Sequence, residues 1–293
     1  MIHGAHHHFG WGASLEARHH PTCSRSKCKM IYTKLLSALF RLCYGEPAVV
    51  PEGAETGLVL VADGCGGIEL CELGMRQVMS EQGGLRRVRP VRWGHGFARW
   101  FADLSDVANH LAHSRAIVEE VLDWRERNPS KPVFLVGKSG GTWIVVQALE
   151  GLPVGSVEAV VLLAPAMSPG YDLSRALRAV SREIVVFWSP LDVVVLGAGT
   201  WLFKTTDRVR SFSAGMVGFR WPEGLDDAGR LLYEKLRQVR WRPEMASTGY
   251  LGGHVGPDSP AFLRRYVVPL LTCPERSEML NFSGDQAHPT PRR

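Results

Sequence analysis

Val133-Phe-Leu-Val-Gly-Lys-Ser-Gly-Gly-Thr-Trp-Ile-Val-Val-Gln-Ala-Leu-Glu150 is the stretch that decides how this chain is read. Its first four residues, after Pro132, form an apolar run of strand length, and Thr142 to Glu150 reads as a helix. Between them stands Gly137-Lys138-Ser139-Gly140-Gly141, a Gly-x-Ser-x-Gly pattern in strand-to-helix context, the setting of a nucleophile elbow. A serine at the tip of so sharp a turn sits in strained backbone, so its flanking positions must be small. The turn also sets the hydroxyl at a helix N-terminus, where backbone N–H groups stabilise negative charge.

Outward from the elbow the chain alternates. Leu58 to Ala62, Val133 to Val136, Ala159 to Leu163 and Ile184 to Trp188 are short unbroken apolar runs, as strands buried on both faces require. Helical patterns separate them, notably Leu104 to Asn128, with Val107, Leu111, Val118 and Leu122 on one stripe and Pro129 ending it. The fold class is therefore α/β, a doubly wound, mostly parallel sheet with helices on both faces. Val88 to Trp93 departs from the pattern by carrying Pro90 and arginines, which an edge strand tolerates.

The chain has 293 residues and a formal charge of +5. Residues 1–45 hold Arg18, Arg25, Lys27, Lys29, Lys34 and Arg41 against Glu16 alone, so the remainder is formally neutral. The basicity belongs to a leader, and no nucleic-acid partner is expected; Arg86, Arg87, Arg89 and Arg92 read as a solvated strand edge. Three parts follow: a disordered leader over 1–45 with an amphipathic helix near 30–44, a folded domain over 46–273, and a tail over 274–293. Ile31, Leu35, Leu39 and Leu42 share one face of the leader helix. Docking of that face on the body is favoured over contact with a membrane surface. Residues 1–29 carry no pattern that folding would use, which makes Met30 an alternative start. No apolar stretch of about 18 residues occurs, and a cytoplasmic location is favoured over export. The six cysteines form no Cys-x-x-Cys pair. His19, His20, Cys23 and Cys28 lack a second ligand pair at zinc spacing, so neither a metal nor a cofactor is expected.

A serine nucleophile needs a base, and the base an orienting acid. Within the folded domain, residues 46–273, the histidines are His95, His110, His113 and His254. His110 and His113 fall inside the long helix. His254 lies in the glycine-rich loop Gly249 to Asp258 and is preferred to His95 as the base. Asp192, just past the run Ile184 to Trp188, lies at the rim where open α/β sheets hold their sites. It is preferred as the acid, with Asp207 and Asp258 as competitors. For an oxyanion hole Gly140 supplies one backbone N–H, and Asp63-Gly64-Cys65-Gly66-Gly67 supplies the other from Cys65. A phosphate-cradling loop is the alternative reading of that turn, and Cys65 as nucleophile an unneeded one. Trp93, Phe97, Trp100, Phe101 and Trp143 suggest an aromatic wall, with Trp93, Phe97 and Trp143 assigned to substrate binding.

With these residues in place, the chain resembles the α/β-hydrolase fold family over about residues 57–272. The likeness rests on the oxyanion turn, the elbow, and the order Ser139, Asp192, His254. It implies a serine hydrolase of esterase or lipase type acting on a small-molecule acyl substrate. In that reading His254 takes the Ser139 proton and later activates water, while Asp192 fixes the imidazole. The chain departs from the family in having Asp63 where its turn begins with His, and Lys138 where its lipases and esterases often have His. Too few residues precede Leu58 for the family's first two antiparallel strands, which again makes Val88 to Trp93 the edge. Any lid must come from 193–253, where Trp201, Phe203, Phe219 and Trp221 are available. Two alternatives stand beside hydrolysis: acyl transfer by the same triad, and a non-catalytic binding protein of this fold.

Overall fold

The computed structural model describes residues 51, 53–81 and 86–272. The leader, the amphipathic helix expected near 30–44 and the tail over 274–293 lie outside the described residues. Six strands form one sheet in the order β2-β1-β3-β4-β5-β6, every neighbouring pair parallel. They are β1 (Gly57–Ala62), β2 (Arg86–Pro90), β3 (Val133–Lys138), β4 (Val157–Leu163), β5 (Val180–Trp188) and β6 (Leu236–Arg240). The four apolar runs all become strands. β1, β3 and most of β4 are buried residue by residue, because helices cover both faces.

Side chains alternate between two cores. Leu58, Leu60 and Ala62 point to one with Leu135 and Ile144, whereas Val59 and Val61 point to the other with Val136. Helices α3 (Val107–Arg127), α4 (Gly141–Gly151) and α5 (Ser174–Ala179) cover the first face. Helix α1 (Leu70–Glu81) and the helical stretch 260–272 cover the second through Met75, Phe262 and Tyr266.

Several sequence expectations need correction. The edge strand spans Arg86–Pro90 rather than Val88 to Trp93; its last ladder bond is Val91 N–H to the Val61 carbonyl, 2.8 Å. The long helix is two: α2 (Trp100–Ser105) stops before Asp106, whose carboxylate caps α3 by accepting from Asn109 N–H at 2.9 Å. The buried stripe of α3 is His110, Ser114, Ile117, Val121 and Trp124, while Val107, Leu111 and Leu122 are exposed. Polar residues share that inner face because each finds a backbone partner: Ser114 Oγ donates to the Ile144 carbonyl, and His110 bonds the Asp103 carbonyl. β6 was not foreseen, since Leu236-Arg-Gln-Val-Arg240 lacks an apolar run; it is the second edge.

β2 and β3 flank β1 on opposite sides, so the chain reverses its direction of travel across the sheet there. Ala62 pairs with Gly137 and Leu163 with Phe187, which aligns the carboxyl ends of the central strands. The crevice beyond such a reversal is where open α/β sheets bind ligands.

Candidate active site

Ser139 follows β3 with φ of +52°, a left-handed conformation that a non-glycine residue adopts only under constraint. The turn is held on both sides: Ser139 N–H donates to the Leu163 carbonyl at 2.9 Å, and Thr142 N–H to the Ser139 carbonyl at 3.2 Å. A Cβ on Gly137 would lie 2.8 Å from Thr142 Cα, and one on Gly141 2.2 Å from the Ala62 carbonyl oxygen. The elbow thus presses backbone on backbone against the end of β1, and that contact is what its glycines permit.

His254 comes to the serine from a loop 115 residues away in sequence, its Nε2 2.9 Å from Ser139 Oγ. Its Nδ1 lies 2.7 Å from Asp192 Oδ2. Asp192 is buried beyond the end of β5, and its other oxygen accepts from Leu196 N–H at 3.4 Å. Burial, and next the Lys138 ammonium, hold the His254 imidazole below the ordinary histidine range; the hydrogen bond and charge of Asp192 pull the other way. A neutral imidazole whose Nδ1–H donates to Asp192 presents a free lone pair at Nε2 to the serine hydroxyl.

The turn after β1 faces the elbow. Among the described residues neither the Cys65 nor the Gly140 N–H donates to the backbone of another residue. The turn is fastened at three points. The Asp63 carboxylate accepts from Cys71 and Glu72 N–H at 2.9 and 3.0 Å, capping α1. Trp93 Nε1–H donates to the Asp63 carbonyl at 2.7 Å. Gly66 N–H donates to the buried Asp103 carboxylate at 2.7 Å. Burial, with Asp258 nearby, pushes the Asp63 carboxyl well above its ordinary range. Burial likewise raises the Cys65 thiol, which keeps it protonated and unsuited to nucleophilic attack.

The competing candidates are engaged elsewhere. His95 lies between two carboxylates, Asp103 at 2.9 Å and Asp106 at 3.1 Å. Asp207 binds the backbone and hydroxyl of Ser168. Asp258 forms a buried ion pair with Lys138 at 3.1 Å. Sequence reasoning marked Lys138 as a departure but missed this pairing, which spans 120 residues.

A cavity of about 400 Å³ opens above Ser139 and His254. Its apolar wall comes from Ile68, Trp100, Leu104, Val195, Leu196 and Phe203. The residues assigned to substrate binding do not line it. Trp93 is buried beneath the elbow against His110 (5.6 Å between ring centroids), tied there by its bond to Asp63. Trp143 packs on the first core and on Tyr171, and Phe97 is exposed outside the cavity. The wall drawn from 193–253 is also shorter than expected, ending at Lys204. Phe219 is core, Trp221 packs against it, and Trp201 points outward. Among the described residues no group of three or more His, Cys, Asp or Glu side chains could hold a metal ion.

No protein-family model matches the chain, and no curated protein matches it. Solved structures similar to it include a CIB-like hydrolase from Thermoplasma acidophilum, 16% identical with a TM-score of 0.40, covering 75% of this chain and 88% of the other. A cutinase-like protein from Cryptococcus sp. is 15% identical with a TM-score of 0.40, covering 74% of this chain and 93% of the other. An esterase of Pyrococcus furiosus is 10% identical, again with a TM-score of 0.40, over 72% of this chain and 83% of the other. At such identities the functional reading stands on the site's own geometry.

Proposed function

We propose that this chain, whose sheet order and left-handed elbow serine give it the α/β-hydrolase fold, is a serine hydrolase. It cleaves a carboxylic ester through an acyl-enzyme on Ser139. The observation that carries this reading is the continuous contact from Asp192 through His254 to Ser139, at 2.7 and 2.9 Å, on a strained turn.

His254 Nε2 takes the hydroxyl proton as Ser139 Oγ bonds to the ester carbonyl carbon. The carbonyl electron pair moves onto oxygen, which the Cys65 and Gly140 N–H groups stabilise. As the carbonyl re-forms, the alcohol leaves with the proton held by the imidazolium. Water then loses a proton to His254 and attacks the acyl carbon, and Ser139 departs with that proton. Asp192 holds the ring and stabilises its charged form. The cavity's volume and apolar wall suit an acyl or alcohol group of modest size.

Labelling by a fluorophosphonate probe tests the reading, because the probe reports an activated serine without a known substrate. Wild type should label, while Ser139→Ala and His254→Ala should both lose labelling by about a thousandfold or more. A folded wild type that stays unlabelled, or label that survives Ser139→Ala, overturns it.

A further inference from the structure

The cavity mouth is unusually apolar on its outer side. Ile68, Trp100, Val195, Phe203 and Val255 line the cavity and are also 40–62% exposed, so its wall continues onto the surface. Beyond them, Phe97 and Phe101 stand exposed beside Trp100. Val194, Trp201 and Leu202 are exposed beside Phe203, Val194 at 80%. Leu251, 73% exposed, belongs to the loop that carries His254. These segments touch: the Trp100 and Phe203 rings are 5.2 Å apart, and Leu191 packs against Gly252 of the loop that carries His254. Monomeric proteins rarely expose so many large apolar groups together without a partner for them.

Exposed cations stand on two of the segments that border the mouth. Arg99, Lys204, Arg208 and Arg210 are exposed on the same two segments, with Arg210 over the Trp201 ring at 5.7 Å. The acids within those segments point inward: Asp103 receives Gly66 and His95, and Asp207 receives Ser168. Aromatic and aliphatic groups with cations beside them match the boundary between acyl chains and anionic headgroups. No helix among the described residues is long and apolar enough to cross a membrane, so such contact would be peripheral.

We infer that the cavity rim docks on an anionic lipid surface and draws its acyl substrate from that phase into the site of Ser139. A protein seated there would close the mouth, whereas a lipid surface supplies what the cavity admits. The substrate class is therefore a lipid-dissolved acyl ester. That class rests on the hydrolase reading above, and the docking does not.

Co-sedimentation of the full chain with vesicles separates the two. The inactive Ser139→Ala chain is used, so binding is read without turnover. It should bind phosphatidylglycerol vesicles and bind phosphatidylcholine vesicles far less. Adding Phe101→Ser, Trp201→Ser and Leu202→Ser, all outside the cavity lining, should weaken binding at least about tenfold, with circular dichroism showing the fold intact. Absence of vesicle binding overturns docking, as does binding that survives the three substitutions, which would assign it to another part of the chain. A stable dimer that the same substitutions dissolve would make the rim a self-association surface and overturn it equally. Vesicle binding with no ester turnover by the Ser139 chain would leave docking standing and sink the hydrolase reading instead.

Discussion

Lys138 shows how much one side chain beside the serine sets. Its ammonium is buried against Asp258 and opposes a second positive charge on His254. Since the base must be neutral to accept a proton, a depressed imidazole keeps activity present further down in pH than an ordinary histidine would, the acid limb of kcat/KM lying below about 6.5. Lys138→Met removes that opposition and leaves the Asp258 carboxylate, so the His254 pKa should rise and the acid limb move to higher pH. A pH–rate profile reads the shift, and an unmoved limb would mean that burial alone sets the base. The same substitution strands a buried carboxylate and should destabilise the fold by about 3–5 kcal/mol in urea. Replacing both partners with Met and Leu should recover most of that loss. The sequence made Lys138 visible as an oddity, but an ion pair across 120 residues leaves no local pattern.

At the scale of elements, the site depends on how the β1 turn meets the start of α4. A Cβ on Gly140 would fall 2.4 Å from Cys65 Sγ and 3.2 Å from the Trp93 ring. Gly140→Ala should therefore push apart the Cys65 and Gly140 N–H groups proposed to hold the oxyanion, and lower kcat by about a hundredfold with KM little changed. Combining it with Cys65→Ala removes the closer obstacle and should restore part of the rate; a double variant as slow as the single one would place the damage elsewhere. These contacts explain what was legible and what was not. The apolar runs and the elbow are local signals, each readable in a window of ten residues. The inner face of α3 was misread because His110 and Ser114 look like surface residues until their backbone partners are known. Trp93 was misassigned for a related reason: an aromatic near a site is as easily a support as a wall, and its indole bond to Asp63 decides for support.

Across the whole molecule, the sheet has no antiparallel strand among its described members, and arginine-bearing strands form both edges. The Pro90 and arginine pattern revealed the first edge, whereas β6 hid in a segment without an apolar run. Among the described residues, the hydrogen bonds that link Asp192, His254 and Ser139 and fasten the β1 turn join residues between 63 and 254. A chain beginning at residue 46 keeps all of these bonds and should label with fluorophosphonate at the full-length rate, within about twofold. A large loss would assign the leader a part in shaping the site. Gly141 has one more consequence. It lets the elbow rest directly on the Ala62 and Asp63 carbonyls, so the start of α4 is set against the end of β1 by backbone contact. Substitution can reshape the cavity wall, the rim and the loops that bring Asp192 and His254, and so change which molecule enters. The span between the Cys65 and Gly140 N–H groups does not follow those changes; it shifts only where the elbow backbone itself is forced away from the turn after β1, as a Cβ on Gly140 would force it.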